Sequence, residues 1–163
     1  MILNRPSPIE IVSYFDSERF VNLPTIRARG KTESKVSGKA VQSFNAPTMS
    51  GRICGWLSGL VELPPAAIKD AEGVGSCLQH FHVIECQPKA LEFALANPED
   101  GDGKFQNENA QRFLLSKGDA FYVPPGNVYR LENHSETDGC LLSYTIFRPF
   151  PETVADADKK GKR

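Results

Sequence analysis

Histidine, cysteine pairs and long apolar runs are all scarce in this sequence of 163 residues. Only three histidines occur, so a metal centre built from several imidazoles would need nearly all of them. The four cysteines are scattered without a CxxC pair, and neither a signal peptide nor an apolar stretch of membrane-spanning length is present. These features predict a reducing, intracellular compartment and no membrane partner.

The net charge is also small, because the acidic and basic residues nearly cancel. The net charge is −1 and the hydrophobic share is 40%. This composition excludes a wholly disordered chain and a globally basic nucleic-acid binder. The length suits one domain with a real core, and any basic surface must be local.

The first 40 residues predict a helix followed by a basic linker. Ser7 suits the N-cap and Pro8 the first helical position, so we expect a short helix that ends at about Phe20. The segment 27–39 is polar, glycine-containing and mainly basic. It could touch DNA phosphate, but we favour a solvated linker because no aromatic residue interleaves its charges.

From Val41 to Pro149 the pattern changes to short apolar runs separated by Gly, Pro, Asn and Asp, which predicts an all-β barrel. The expected strands are Ile53 to Leu57, Ser58 to Leu63, Cys77 to Cys86, Ala90 to Ala96, Arg112 to Leu115, Ala120 to Val123, Val128 to Leu131 and Leu141 to Phe147. The polar, basic-ended segment 150–163 is expected to form a tail. The resulting division is 1–40, 41–149 and 150–163.

A tight turn is the best-defined local feature. Proline fixes φ near the value that the first corner of a β-turn needs, and Gly126 and Asn127 follow Pro124 and Pro125. Because glycine and asparagine tolerate positive φ, the chain is expected to reverse here between two strands.

Side-chain alternation divides the strand around Phe81 into two faces. The residues expected inside the barrel are Phe81, Val83, Tyr129 and Leu131, with Gln79 on the same side. The His80 and His82 pair would then point outward together with Ile84. A slip of one residue in this register would reverse the faces.

Several strands carry bulky apolar residues on both faces, so their outer faces need a cover. The N-terminal helix could cover part, and a second copy of the chain the rest, since two-fold pairing is the commonest association of identical chains. The residues predicted for this dimer interface are His80, His82, Ile84, Phe121 and Val123.

The segment from Gly118 to Asn133 resembles the second signature of the cupin family. The matching residues are Gly118, Pro124, Gly126, Asn127, Tyr129 and Asn133. With the VELPP segment 61–65 and Lys69, the chain is similar to the C-terminal cupin domain of the centromere protein C (CENP-C) family, of the fungal type. Pro125 and Ala66 depart from that family's pattern, which has a basic residue and a glycine there.

The resemblance implies a cupin-like double-stranded β-helix, or jelly-roll barrel, with a short N-terminal helix. In metal-dependent cupins a histidine ligand stands where this chain has Tyr129, and the ligand Glu aligns with Gln79. The first two histidines of those enzymes align with the segment 72–75, which has no imidazole. The family therefore implies no catalytic residue, no metal and no cofactor.

The implied function is a non-catalytic homodimerisation scaffold at the centromere and kinetochore of the nucleus. Such a scaffold pairs two copies of a nucleosome-linking chain in chromosome segregation and docks other kinetochore proteins. The nucleosome-binding motifs of the family are not visible, so we expect a terminal fragment or a divergent member. Which partners dock, and whether the role is meiotic or mitotic, is not predicted.

Two other classes of function stay open. A metal-dependent cupin enzyme would hold a transition metal with His80, His82 and Glu85. A ligand-binding cupin would accept a small molecule beside Tyr129 and Phe81. Weak DNA contact through the basic linker and tail is a further alternative.

Overall fold

The computed structural model describes residues 12–23, 37–49, 52–97 and 105–150. Within them the chain forms ten strands and one 3₁₀ turn at Ser17–Arg19. The first five strands are β1 (Val21–Asn22), β2 (Lys39–Ala46), β3 (Trp56–Leu63), β4 (Ile68–Gly73) and β5 (Leu78–Glu85). The remaining five are β6 (Leu91–Ala96), β7 (Gln111–Leu115), β8 (Ala120–Val123), β9 (Val128–Asn133) and β10 (Cys140–Phe147).

The strands form two sheets with antiparallel pairing between neighbours. Sheet A has the order β1-β2-β3-β10-β5-β8, and sheet B has the order β4-β9-β6-β7. The buried hydrophobic cluster includes Val61, Leu63, Phe81, Val83, Leu91, Phe93, Val123, Tyr129, Leu131 and Leu142, from strands of both sheets. This two-sheet, all-β arrangement confirms the predicted fold class.

The predicted N-terminal helix is not seen in the described residues. Residues 12–16 have no regular structure, and only Ser17–Arg19 form a 3₁₀ turn. Val12 and Phe15, two apolar residues of this segment, are 53% and 73% exposed. The physical reason is that Val, Ser, Tyr, Phe and Asp are all modest helix formers, so an isolated helix here has little intrinsic support. Residues 7–11 lie outside the described part.

β3 is one strand where the sequence suggested two. The predicted strands Ile53 to Leu57 and Ser58 to Leu63 join without a break between Leu57 and Ser58, and Gly59 lies inside β3 opposite Tyr144. A Cβ at Gly59 would stand 1.9 Å from the Val41 carbonyl oxygen and 2.8 Å from the Tyr144 hydroxyl. Glycine is thus required by close approach of a neighbouring strand and not by a turn.

The turn at Pro124 to Asn127 is formed as predicted. Gly126 has φ of +82°, and the Asn127 amide donates to the Pro124 carbonyl at 3.3 Å. A second turn packs beside it, since the Gly126 amide donates to the Gly75 carbonyl at 2.6 Å and the Val74 amide to the Asn127 carbonyl at 3.0 Å. The two turns close one end of the barrel together.

Two predicted segments lie largely outside the described residues. These are the basic linker before residue 37 and the tail from residue 151. β1 and the start of β2 lie before residue 41, so sheet A begins N-terminal to the predicted barrel boundary. No helix in the described part is both long and apolar enough to cross a membrane.

Candidate functional site

The interior of the barrel holds the residues that stand at the metal-binding positions of cupin enzymes. Along β5, Gln79, Phe81 and Val83 are buried and alternate with exposed His80 and His82. From β9, Tyr129 and Leu131 enter the same core at 1% and 0% exposure. The structure therefore brings these interior residues together and leaves the two histidines outside.

Aromatic rings fill the space between the sheets. The Phe81 ring centroid lies 4.8 Å from that of Phe121 and 5.5 Å from that of Tyr129. Phe93 stacks on Phe121 at 4.3 Å, and Tyr144 lies 6.3 Å from Phe81. Rings at these distances make a packed core, which leaves little room beside Tyr129 for a substrate.

A buried lysine, Lys69, lies against one of these rings. Lys69 is 6% exposed, and its Nζ lies 4.2 Å from the Tyr129 ring centroid and 2.6 Å from Glu72 Oε2. Burial lowers the pKa of Lys69, although Glu72 opposes this. Burial, with smaller contributions from Glu72 and Tyr144, raises the pKa of Tyr129 well above its usual value. Tyr129 is therefore a neutral phenol at physiological pH.

These interior residues do not fit a divalent metal of the cupin type. Glu72 lies directly opposite Tyr129, so the segment that aligns with the first two enzyme histidines is indeed beside the phenol. The groups there are a lysine that has no lone pair when protonated, a neutral phenol, the amide of Gln79 and the carboxylate of Glu72. The first three are poor ligands for a transition metal, and the Glu72 carboxylate is already paired with the Lys69 ammonium.

The set proposed for the enzyme alternative is not brought together either. His80 and His82 point to solvent from β5, and Glu85 pairs with Lys117 at 2.8 Å. Within the described residues, His80, His82 and Glu85 do not form a group of ligand atoms within 4.8 Å of one another.

The predicted outward orientation of Phe121 and Val123 is wrong. β8 pairs with β5 so that Phe121 lies opposite Phe81 and Val123 opposite Gln79. Because directly paired residues share a face, both enter the core, where Val123 is 0% exposed. The outward residue of this strand is Tyr122, which is opposite His80 and 58% exposed. The strand has bulky residues at both parities, so the sequence pattern did not discriminate between them.

The strand register defines an open surface on the outer side of sheet A. Thr145 and Ser143 of β10 lie opposite His80 and His82, and also opposite Ser58 and Leu60 of β3. We call the following residues the open face: Trp56, Ser58, His80, His82, Tyr122, Ser143, Thr145 and Phe147. All are half-exposed or exposed, and none is Lys, Arg, Asp or Glu.

The other end of the same sheet is covered by the N-terminal segment. Arg19 Nη2 donates to the Gln42 carbonyl at 3.2 Å, and the Leu23 amide donates to the Gly38 carbonyl at 2.8 Å. Phe15 and Phe20, with ring centroids 6.2 Å apart, line a cavity of about 450 Å³. Lys39, Glu62, Glu85, Cys140 and Leu141 also line it. The predicted cover therefore reaches the charged end of sheet A and does not enclose the open face.

Asn133, a signature residue, joins the two sheets. It is 1% exposed, and its Nδ2 lies within hydrogen-bonding distance of the carbonyls of Leu63, Pro64 and Asp138 at 2.8–3.1 Å. Its Oδ1 accepts a bond from the Ser135 amide at 3.0 Å. Asn133 thus ties the end of β9 in sheet B to the segments beside β3 and β10 in sheet A, which accounts for an amide at this position.

A second cluster of ionisable groups lies on the outer side of sheet B. Glu92, Glu132 and His134 place one ligand atom each within 4.8 Å of the others. Two arginines already occupy the carboxylates: Arg112 and Arg130 pair with Glu92, and Arg130 pairs with Glu132 at 2.8 Å. Burial opposes the ionised form of Glu92, but His134 and the two guanidinium groups outweigh it and lower its pKa. The cluster is an ion-pair network.

Solved structures place this fold among the cupins. The cupin domain of Schizosaccharomyces pombe Cnp3 is 18% identical, with 76% of this chain and 71% of that chain covered and a TM-score of 0.48. The CENP-C cupin domain of Drosophila melanogaster is 10% identical, with 83% and 76% covered and a TM-score of 0.47. A predicted oxalate decarboxylase of Thermotoga maritima is 14% identical, with 85% and 100% covered and a TM-score of 0.52.

Identities this low show the fold alone. Of these three structures, the Thermotoga maritima protein supports the fold assignment, because its TM-score is above 0.5. The chain therefore has a cupin-like jelly-roll fold. The Cnp3 and CENP-C cupin domains and a protein named as a predicted enzyme all stand among its structural neighbours. In sequence, the chain matches no family model and no curated protein.

Sequence reasoning did not find three features of the site. Lys69 was noted only through the family resemblance, and its position over Tyr129 depends on the pairing of β4 with β9. Tyr144 as a core residue and Thr145 as an outer one depend on the register of β10 against β5. The clean alternation of β5 is the signal from which the orientations of Tyr144 and Thr145 follow, once the pairing of β10 with β5 is known.

Proposed function

We propose that this chain is a non-catalytic homodimerisation scaffold of the CENP-C cupin type. Two copies pair through the open face of sheet A. The dimer acts at the centromere and kinetochore, where it holds two nucleosome-linking chains together and docks other kinetochore proteins.

The observation that carries the proposal is the composition of the open face. Interface cores are poor in charged residues and rich in aromatic ones. This face has Trp56, Tyr122 and Phe147 at its edges and small hydroxyl side chains on its central strand, with no Lys, Arg, Asp or Glu. A second copy can therefore cover it without removing an unpaired ionised carboxylate, ammonium or guanidinium group from water.

The barrel interior supports a scaffold over an enzyme. A cupin catalyst needs ligands and free space at the position of Tyr129, and here that position has stacked rings and a buried lysine. Pairing alone gives such a fold a physical use, because two weak binding arms on one dimer act at high effective concentration.

Sedimentation equilibrium of the whole chain at micromolar concentration tests the pairing. We expect a dimer, and Tyr122→Glu to shift it toward monomer, because the charge would be buried in the interface. The matched control is Leu114→Glu, which places the same charge at an exposed site on the outer side of β7 in sheet B. A wild-type chain that stays monomeric at tens of micromolar would contradict the proposal, as would one mole of transition metal per mole of purified protein.

The centromere assignment has a separate test. A fluorescently tagged chain is expected to form centromeric foci in cells of its source organism, and the Tyr122→Glu variant to form weaker foci. If the wild-type fluorescence is diffuse while the chain still forms a dimer in solution, the kinetochore role is contradicted and the proposed pairing stands.

A further inference from the structure

Two cysteines of sheet A lie against each other. Cys86 directly follows β5, and Cys140 is the first residue of β10. Glu85 pairs with Leu141 across these antiparallel strands, so the next step of the register places Cys86 opposite Cys140. The thiol of Cys140 donates to Cys86 Sγ at a sulfur-to-sulfur distance of 3.1 Å.

The backbone at this point suits a cross-link. Opposed residues of antiparallel strands have Cα atoms about 4.5–5.5 Å apart. A disulfide needs a Cα separation of about 4.4–6.8 Å and a sulfur-to-sulfur bond of about 2.05 Å. The two sulfur atoms would therefore have to approach by about 1 Å, which small χ1 adjustments supply.

We propose that Cys86 and Cys140 are an oxidative modification site that forms a reversible disulfide between β5 and β10. The oxidant is a small-molecule disulfide such as oxidised glutathione. The thiolate of Cys86 attacks one sulfur of the oxidant, whose sulfur-to-sulfur bond breaks, and the first glutathione leaves as a thiolate that takes up the proton Cys86 lost. Cys140 then loses its proton and attacks Cys86 Sγ, and the second glutathione leaves and is protonated. Two protein thiols are oxidised to one disulfide, and one oxidant disulfide is reduced to two thiols.

Accessibility sets the order of the two steps. Cys140 is 1% exposed, and burial together with its contact to Cys86 raises the pKa of its thiol. Cys86 is only half-buried, so its sulfur is the one that the oxidant reaches first. The cavity of about 450 Å³ under the N-terminal segment reaches the pair from the side of Cys140, which lines it together with Glu85 and Leu141.

The other two cysteines are controls within the same chain. Cys77 lies just before β5, so the eight residues of that strand separate it from Cys86. Cys54 precedes β3. The disulfide would close a loop of 54 residues between positions 86 and 140. By restricting the unfolded chain it should raise the melting temperature by about 10 °C.

The test equilibrates the whole wild-type chain in glutathione buffers of stepped oxidised-to-reduced ratio, followed by denaturation, N-ethylmaleimide labelling, intact mass and peptide mapping. We expect two cysteines to escape labelling together, to map to Cys86 and Cys140, and to be recovered by reduced glutathione. A Cys54→Ala/Cys77→Ala double variant should behave the same. The oxidised chain should melt about 10 °C higher than the reduced chain.

Variants of the pair separate the two steps. Cys140→Ala is expected to stop at a glutathione adduct on Cys86, and Cys86→Ala to give no intrachain cross-link. If Cys140→Ala does not fold, the wild-type peptide map and the Cys86→Ala variant still show whether the disulfide joins Cys86 to Cys140. Equal labelling of all four cysteines at every ratio, or preferred pairing of Cys86 with Cys54, Cys77 or another chain, would overturn the proposal.

Discussion

The outer faces of the two sheets are built from different kinds of residue. On sheet B, Glu92 is surrounded by Arg112, Arg130 and His134, and its side chain is 12% exposed. On sheet A, the open face presents aromatic rings, hydroxyls and two histidines. Sheet B pairs most of its charged groups with one another, although Arg130 Nε is buried without a hydrogen-bond partner in the described residues. The open face instead leaves its apolar groups in contact with water.

This difference indicates which face is available to another protein. Covering the sheet B network would remove several ion pairs from water, which is costly unless a partner supplies matching charges. Covering the open face removes mostly rings and small hydroxyls, which release water at little cost. The two faces of one small barrel thus differ in the cost of covering them, and substitutions that exchange their character should test the proposed interface.

Thr145→Arg should have the largest effect, because it places a charge at the centre of the open face, opposite His80 and Ser58. In a two-fold dimer each substitution is present twice. At about 2 kcal/mol per copy, the dimer should weaken by about 4 kcal/mol, or about a thousandfold in Kd. Sedimentation equilibrium measures the change.

The matched variant on the other face is Leu114→Arg, at a site 54% exposed and opposite Glu92. It should leave the dimer constant within about twofold, since the new guanidinium group stays in water. Equal weakening by both variants would show that the two faces do not differ as proposed.

Asn133→Ala should weaken the connection between the two sheets and leave both outer faces unchanged. Truncation leaves the carbonyls of Leu63, Pro64 and Asp138 without their buried donor. We expect the free energy of unfolding to fall by about 3 kcal/mol, measured by urea denaturation at a fixed protein concentration.

The control for that variant is Asn127→Ala in the exposed turn. Its Nδ2 has only long contacts, to the Pro124 and Pro125 carbonyls at 3.4 and 3.3 Å. Its loss should therefore be below about 1 kcal/mol. If the two variants lose equal stability, Asn133 is not the clamp between the sheets.

Glu92→Gln removes the centre of the sheet B network and should have a smaller effect. At neutral pH the loss should be about 1 kcal/mol, because two guanidinium groups lose their shared partner but remain partly hydrated. The pKa of Glu92 is lowered in the folded chain, so its stabilisation is present above the unfolded value of 4.5 and is lost as pH falls through the folded value. The difference between wild type and variant should therefore disappear in acid.

Urea unfolding over a series of pH values below neutral checks this dependence. Glu85→Gln is the comparison variant, since its side chain is 60% exposed and has one surface partner, Lys117. It should change stability little at any pH, and the dimer constant of Glu92→Gln should equal that of wild type. A pH-independent difference at Glu92 would argue against the ion-pair network.

Local signals in the sequence predicted much of the barrel. The alternation through β5 placed Gln79, Phe81 and Val83 on one face and His80 and His82 on the other, and the structure has the same division. The proline and glycine residues at 124–126 predicted the turn that forms there. Both signals act over a few residues, so no knowledge of strand pairing was needed.

The features that sequence reasoning missed depend on contacts between distant segments. β8 has bulky residues at both parities, and only its pairing with β5 turns Phe121 inward. The need for glycine at position 59 comes from the Val41 carbonyl and the Tyr144 hydroxyl, which belong to neighbouring strands and leave no space for a side chain. The residues before β1 were read as a helix from a capping pattern, but the described part runs as an irregular segment across sheet A.

The smallest expected effect is at the crossing from β3 in sheet A to β4 in sheet B. Ala66 lies in that connection with φ of +58°, in the left-handed region that an alanine occupies at a cost of about 1–2 kcal/mol. Ala66→Gly relieves this cost but adds chain entropy to the unfolded state. We expect a net gain of about 0.5–1 kcal/mol in unfolding free energy, seen as a higher urea midpoint with an unchanged dimer constant. Ala71→Gly inside β4 should instead lose stability, because a strand residue gains no relief from glycine. A loss at both positions would mean that the crossing between the sheets is not strained.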